Sequence, residues 1–440
     1  MPFAVFVLGL AVFAQGTSEF MLSGLVSDIA GDLNVSIPAA GLLTSGFAVG
    51  MVVGAPLMAL WSRRWARRRA LLIFLGVFVA VHVVGAVTPS YGVLLASRVV
   101  GAVANAGFWA VALVAAVGMV APEARARATS VVVGGVTVAC VAGVPAGAWL
   151  GEQWGWRSAF WAVALVSVPA FVAVARAVPG GGGRGEAGEV SARDEVRVLR
   201  GAGLVLTLVT MALVQGATFC AFSYLEPLVT RVTGFGAGWV PVILALFGMG
   251  SFVGVSIAGR VGGAWPRALV MAGLVALTLG WVVLAVAAGS PVAVAGLVCV
   301  QGMLAFGTGT ALISWVFRLA ARAPTLAGAF ATAAFNVGGA VGPWAGGLAI
   351  GEGFGFRSPV WVSAALMVLA LVGAGAALIV VRRDGQPGGW RGAGPRSAAR
   401  AWRRKPGIAS PESRARNREL GIPSPESQAR NVDFCCFGRL

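Results

Sequence analysis

Two residues of opposite charge stand inside long apolar runs: Glu19, in "QGTSEF", and Arg98, in "SRVVGAVANAG". An ionisable side chain at the centre of a membrane helix costs about 2.5–3.5 kcal/mol on insertion scales, so it is read first as functional. A carboxyl in a partly dry cavity holds its proton near neutral pH, and an approaching guanidinium favours release of that proton. Such a pair is suited to taking a proton from one side of a barrier and giving it up on the other. Gln15, Asn105, Phe108, Trp109, Gln215, Tyr224 and Asn336 are isolated polar or aromatic residues in apolar runs, and they are candidates for the walls of the cavity. Glu226, before Pro227 near the end of its run, is a further candidate. Each has a competing reading: helix packing for the walls, a solvated cap for Glu226, an interfacial position for Glu19 and Arg98. His82, alone of its type, reads as a packed residue. Cys140, Cys220 and Cys299 lie inside apolar runs, and Cys435 and Cys436 form no prenylation box. A metal-ligand set, a nucleophile–base pair and a phosphate loop are all missing from the sequence, so no metal, no cofactor and no enzyme are expected.

The elements that must position these residues follow from composition. The 440-residue chain is 58% hydrophobic and 11% charged, with a net charge of +17. Soluble proteins carry roughly 25% charged residues, so this chain cannot cover a water-facing surface. The basic excess falls in loops and tails, which excludes the folded basic face of a nucleic-acid binder. A helix needs about 20 apolar residues to cross a bilayer. Candidate spans lie near 3–27, 39–60, 70–88, 92–119, 128–150 and 158–178, then near 202–226, 239–259, 268–288, 291–317, 325–349 and 358–381. The expectation is an all-α membrane protein of twelve transmembrane helices, with residues 1–16 as part of the first span rather than a signal peptide. Arg residues crowd one set of loops: Arg63, Arg64, Arg67, Arg68 and Arg69 between spans 2 and 3, Arg125 and Arg127 between 4 and 5, Arg260 and Arg267 between 8 and 9. Asp28, Asp32, Glu152 and Glu352 fall on the other side. The positive-inside rule then places both termini in the cytoplasm of a cell-membrane protein.

A repeat organises the spans. "GEQWGWRSAFW" begins at Gly151 and "GEGFGFRSPVW" at Gly351, an offset of 200 residues. Gln15–Gly16 recurs as Gln215–Gly216, and Gly50 and Gly54 recur as Gly250 and Gly254. Two six-helix bundles, 1–178 and 202–381, are expected to face each other across a cavity, related by an axis along the membrane normal. Shared glycines are scaffold for close helix approach. Glu19 and Arg98 are not shared, because the offset matches them to Phe219 and Val298. Residues 179–201 have the composition of a linker, the second half of which suits a surface helix. The tail 382–440 repeats "GIASPESRAR" as "GIPSPESQAR" and is expected to be a disordered, basic cytoplasmic segment.

These features together resemble the major facilitator superfamily, specifically its twelve-helix drug:H⁺ antiporter branch, over residues 1–381. "GAPLMALWSRRWARRRALL" resembles the superfamily's cytoplasmic gating loop, with Gly54 and the Arg63–Arg69 cluster, but it lacks the usual Asp. "SRVVGAVANAG" resembles the span-4 signature, and the resemblance gives Arg98 a part in proton coupling. "GVPAGAWLGEQWGWRSAF" resembles the span-5 antiporter signature through Gly143, Pro145, Gly147 and Gly151. The opening "GTSEFMLSGLVSDIAGDLNVSIPAAGLLTSGFAVGMVVGAPL" is similar to chloramphenicol-resistance exporters of actinomycetes. The resemblance implies a monomer that exports a small hydrophobic drug, most directly chloramphenicol, in exchange for protons. Its partners are that drug, the proton and the lipid bilayer, with no nucleic acid. Uptake or exchange of a small metabolite by the same fold is the alternative.

Overall fold

Long apolar runs become helices here because hydrocarbon offers the backbone no hydrogen-bond partners outside the chain. The computed structural model describes residues 2–61, 65–178, 201–261, 266–320 and 324–383. The first half contains α1 (Phe3–Phe20), which runs on through a 3₁₀ turn to Gly24, then the short α2 (Val26–Asp32), α3 (Ile37–Trp61), α4 (Arg67–Val87) and α5 (Tyr91–Gly118). It continues with α6 (Arg125–Val138), α7 (Val144–Trp154) and α8 (Arg157–Ala177). The second half contains α9 (Ala202–Ser223), α10 (Val240–Val261), α11 (Pro266–Ala287), α12 (Pro291–Leu319), α13 (Pro324–Gly351) and α14 (Ser358–Arg383). Counting α6 and α7 as one path, twelve long helical segments lie among the described residues. Eleven of them are long and apolar enough to cross a membrane. The twelfth, α13, is rich in Gly and Ala rather than in larger apolar side chains. Asp28 and Asp32, expected in a loop, sit in α2. The linker 179–200, the loop residues Arg63 and Arg64 and the tail beyond Arg383 lie outside the described residues.

α6 and α7 are joined by a π turn, Ala139–Gly143. Pro145 is the cause. It has no N–H for the carbonyl four residues back, and its ring crowds that carbonyl, so the helix widens.

Packing repeats between the halves. α1 lies on α6 and α8, α3 on α5, and α4 on α5 and α8. α9 lies on α13 and α14, α10 on α12, and α11 on α12 and α14, the same scheme one half later. One buried apolar core runs from Ala4 to Val178 in the first half, and another is centred on residues 204–374 and takes in Phe20, Cys140, Val144 and Ala148 of the first half. The halves meet along two seams, α3 on α13 and the π turn with α7 on α10. In span order these are 2 on 11 and 5 on 8, which a two-fold axis interchanges.

The twice-written phrase forms the same turn twice. Gly155 and Gly355 take φ of 78° and 76°, a left-handed conformation that only glycine adopts freely. Ser158 and Ser358 each donate Oγ–H to the carbonyl of that glycine at 2.7 Å. Arg157 then pairs with Asp32 and donates to the Thr88 carbonyl at 3.1 Å, fastening this turn to the ends of α2 and α4.

Candidate functional site

A cavity of about 300 Å³ lies between the halves. Its first-half wall carries Glu19, Thr44 and Phe47, and its second-half wall carries Gln215, Phe219 and Asn336. Of the residues expected from sequence to face a cavity, Glu19, Gln215 and Asn336 are brought together. Glu19 and its repeat counterpart Phe219 both line this space, and Phe20 packs on Phe219 with ring centroids 5.5 Å apart. The remaining lining is mostly apolar or aromatic, with hydroxyls at Thr137 and Thr310. Pockets for small organic ligands span roughly 300–1,000 Å³ and combine apolar walls with a few polar groups. This one is at the lower end of that range.

The other expected wall residues lie elsewhere. Gln15 is fully buried one turn before Glu19, with no hydrogen-bond partner for its amide. Asn105 is also fully buried, and its Nδ2 donates to Met51 Sδ at 3.4 Å. Phe108 is inside the first-half core, and Trp109 packs on that core from outside. Tyr224 donates its hydroxyl to the Pro343 carbonyl at 2.8 Å. A Cβ on Gly41 would overlap the Tyr224 ring, so Tyr224 is a plug between α3 and α13 rather than a wall. An all-apolar helix does not announce which face meets the cavity, and that is why these residues were not separable by sequence.

Arg98 is almost fully buried, at 2% exposure. It makes no ion pair with Glu19 among the described residues. Instead Nη1 donates to Ser18 Oγ at 2.7 Å and Nη2 to the Ser18 carbonyl at 2.9 Å. The guanidinium lies over the Phe47 ring at 4.5 Å, and Nε has no partner. Ser18 Oγ is also 2.6 Å from His82 Nε2, while His82 Nδ1 is 2.7 Å from the Phe78 carbonyl. A carbonyl only accepts, so Nδ1 carries the ring proton, and Nε2 accepts from the Ser18 hydroxyl. Ser18 and this role of His82 went unnoticed in the sequence. A serine inside a span carries little signal, and its one distinguishing mark is that it precedes Glu19.

The antiporter-signature glycines serve a tight crossing between α1 and the α6–α7 path. A Cβ on Gly143 would overlap Thr17 Oγ1, and one on Gly151 would overlap Leu25 Cδ2. Gly147 faces Met21. In the gating-loop region, Gly54 lets α3 lie on α5, where a Cβ would come 2.8 Å from Val103 Cα. Arg67 reaches the end of α5 at Gly118. Arg68 and Arg69 border a groove between α4 and α8.

The acidic end of the seams is held shut. Ser45 Oγ donates to the Ala340 carbonyl at 2.7 Å, linking α3 to α13. Ser27 N–H donates to Glu226 Oε2 at 3.3 Å, linking the end of α1–α2 to the segment after α9. Glu226 lines a separate pocket of about 590 Å³ at this acidic end, with Asp28, Asp32 and Glu152. Burial raises the Glu226 carboxyl above its ordinary value, although hydrogen bonds from Ser27 and Thr230 work against this. Desolvation also raises Asp28, and the charge of Glu152 adds to the effect.

The sequence model of the Major Facilitator Superfamily matches residues 8–334. The chain is 48% identical over 373 residues to a chloramphenicol resistance protein of Streptomyces lividans, covering 84% of this chain and 95% of that one. It is 33% identical over 370 residues to the inner membrane transport protein YdhP of Escherichia coli K12, covering 84% and 94%. Among solved structures, a bacterial homologue of the human lysosomal transporter Spinster, in an inward-facing and unoccupied conformation, superposes with a TM-score of 0.71 at 17% identity, covering 88% of this chain and 98% of that one. The nucleoside transporter NupG superposes with a TM-score of 0.70 at 11% identity, covering 85% and 99%. Two helical halves packed by one scheme, a cavity between them, and relatives matched along most of their length together make this chain a member of the Major Facilitator Superfamily.

Proposed function

We propose that this chain exports a hydrophobic antibiotic, chloramphenicol first among candidates, in exchange for protons. The observation that carries the substrate is the 48% identity to the Streptomyces lividans chloramphenicol resistance protein across nearly its whole length. The cavity is consistent with it: aromatic walls suit a nitrophenyl ring, and Gln215, Asn336, Thr44 and Thr310 suit hydroxyl and amide groups. Chloramphenicol is uncharged, so Glu19 is not needed as its counter-ion and is free to carry the proton. With the acidic end outside, as the Arg bias suggests, the present arrangement has its outer mouth closed. Rocking about the two seams then exposes the cavity to each side in turn. Protonation of Glu19 from outside, and its deprotonation toward the cytoplasm, links drug exit to proton entry. The chain acts in the cell membrane as a monomer.

The test is a sensitive host expressing the chain. Chloramphenicol resistance should rise, and loaded cells should lose labelled drug at a rate that a protonophore abolishes. Efflux that ignores the protonophore rejects proton coupling, and unchanged susceptibility rejects the substrate. Drug accumulation faster than in empty cells would favour uptake.

A further inference from the structure

His82 is not used in the scheme above, yet both of its ring nitrogens are hydrogen-bonded in the first-half core. The 200-residue offset matches the trio Ser18, His82 and Arg98 to Thr218, Val282 and Val298. In the second half the equivalent hydroxyl, Thr218 Oγ1, simply donates back to the Val214 carbonyl of its own helix at 2.9 Å. The trio is therefore not a packing need common to both bundles.

Its geometry has a direction. Because Nε2 of His82 takes the hydroxyl proton of Ser18, the lone pairs of Ser18 Oγ are left facing Arg98 Nη1. The guanidinium is thus held on Ser18 and on Phe47, one residue away from Glu19 along α1. The hold is incomplete, because Arg98 Nε is buried with no partner. An ionised carboxylate would offer the guanidinium a charge-assisted, two-oxygen alternative. We propose that His82 and Ser18 form a parking site for Arg98, and that His82, as a positioning residue, sets how readily the guanidinium leaves Ser18 for the Glu19 carboxylate. The inference rests on the proton-coupled reading above. Among the described residues, the titratable and charged groups around the trio are Glu19 on α1 and Arg98 on α5, with the buried Cys140 thiol of the π turn near Glu19. From α8 the Phe160 ring faces His82, with centroids 5.8 Å apart, and on α4 itself the Phe78 ring lies at 4.1 Å.

The sign follows. Removing the acceptor at position 82 frees the Ser18 hydroxyl to turn, weakens its grip on Arg98 and makes the cation more available to Glu19. A carboxyl with a cation beside it loses its proton at lower pH. The experiment is infrared titration of the purified full-length chain, following the protonated-carboxyl band that disappears in Glu19→Gln. His82→Phe should move the midpoint to lower pH by about one unit or more, His82→Gln, which keeps an acceptor, should restore the wild-type midpoint, and Ser18→Ala should shift it in the same direction as His82→Phe. Wild-type midpoints in both His82→Phe and Ser18→Ala overturn the proposal, and so does a shift in His82→Gln equal to that in His82→Phe. The readout needs no drug. Failure of protonophore-sensitive export with an intact shift would reject the transport reading, while intact export with no shift would reject the parking site alone.

Discussion

At the residue scale, Glu19 on the cavity wall and the exposed Arg157–Asp32 pair should respond differently to substitution. Glu19 faces the cavity. Glu19→Gln keeps size and hydrogen bonding but cannot release a proton, so export against a gradient should fall at least tenfold while the protein reaches the membrane at wild-type level. Assaying resistance alongside membrane abundance checks this, and full resistance in that variant removes Glu19 from the mechanism. Arg157–Asp32 is the contrasting case. Its side chains are 33% and 44% exposed, and exposed ion pairs contribute about 0–1 kcal/mol. Asp32→Asn should therefore leave transport unchanged and lower thermal stability within that range, as read by melting of the detergent-solubilised protein. Sequence made Glu19 legible because a lone carboxyl in an apolar run has few explanations. The Arg98 partnership was legible only by half. Its burial could be expected, but its choice of Ser18 over Glu19 depends on side-chain directions that spacing does not encode.

At the element scale, two contacts lie where the proposed rocking would have to act. The α1 crossing with α6–α7 needs Gly143, where any side chain meets Thr17. Gly143→Leu should cost about 1–3 kcal/mol through overpacking, seen as a lower melting temperature, and a melting curve like the wild type would mean the crossing is loose. The acidic mouth is the second contact. Glu226 is raised by burial while the mouth is closed. Opening hydrates it and returns it toward its ordinary value, so the closed form binds the proton more tightly. Lower pH at this mouth should therefore favour closure, and higher pH should favour opening, with the change centred above the usual glutamate range. Spin-label distances across the α2–α10 gap, measured against pH, test this: they should shorten on acidification, and the response should shrink in Glu226→Gln. Distances that ignore pH in the wild type contradict it. The helices themselves were readable to within a few residues, because twenty apolar residues admit few alternatives to a membrane helix. The π turn at Ala139–Gly143 was not, although Pro145 marks the place where the ladder had to change.

At the scale of the whole molecule, the offset between "GEQWGWRS" and "GEGFGFRS" foretold more than a duplicated turn. It implied two similar six-helix bundles, and the packing of α3 on α5 does recur as α10 on α12. What it could not foretell is which end of the seams is shut. That depends on Ser45 and Glu226 finding partners across the halves and on Tyr224 filling the space beside Gly41, and the sequence shows none of these pairings. In the proposed cycle, drug leaves through the cavity between these halves as a proton enters by way of Glu19. Everted membrane vesicles measure it most directly, with labelled chloramphenicol outside and the pH gradient imposed at will. Uptake should be concentrative when the vesicle interior is acidic, collapse on adding a protonophore, and stay at background in Glu19→Gln. Equal uptake with and without the gradient, or an unimpaired Glu19→Gln, would contradict it.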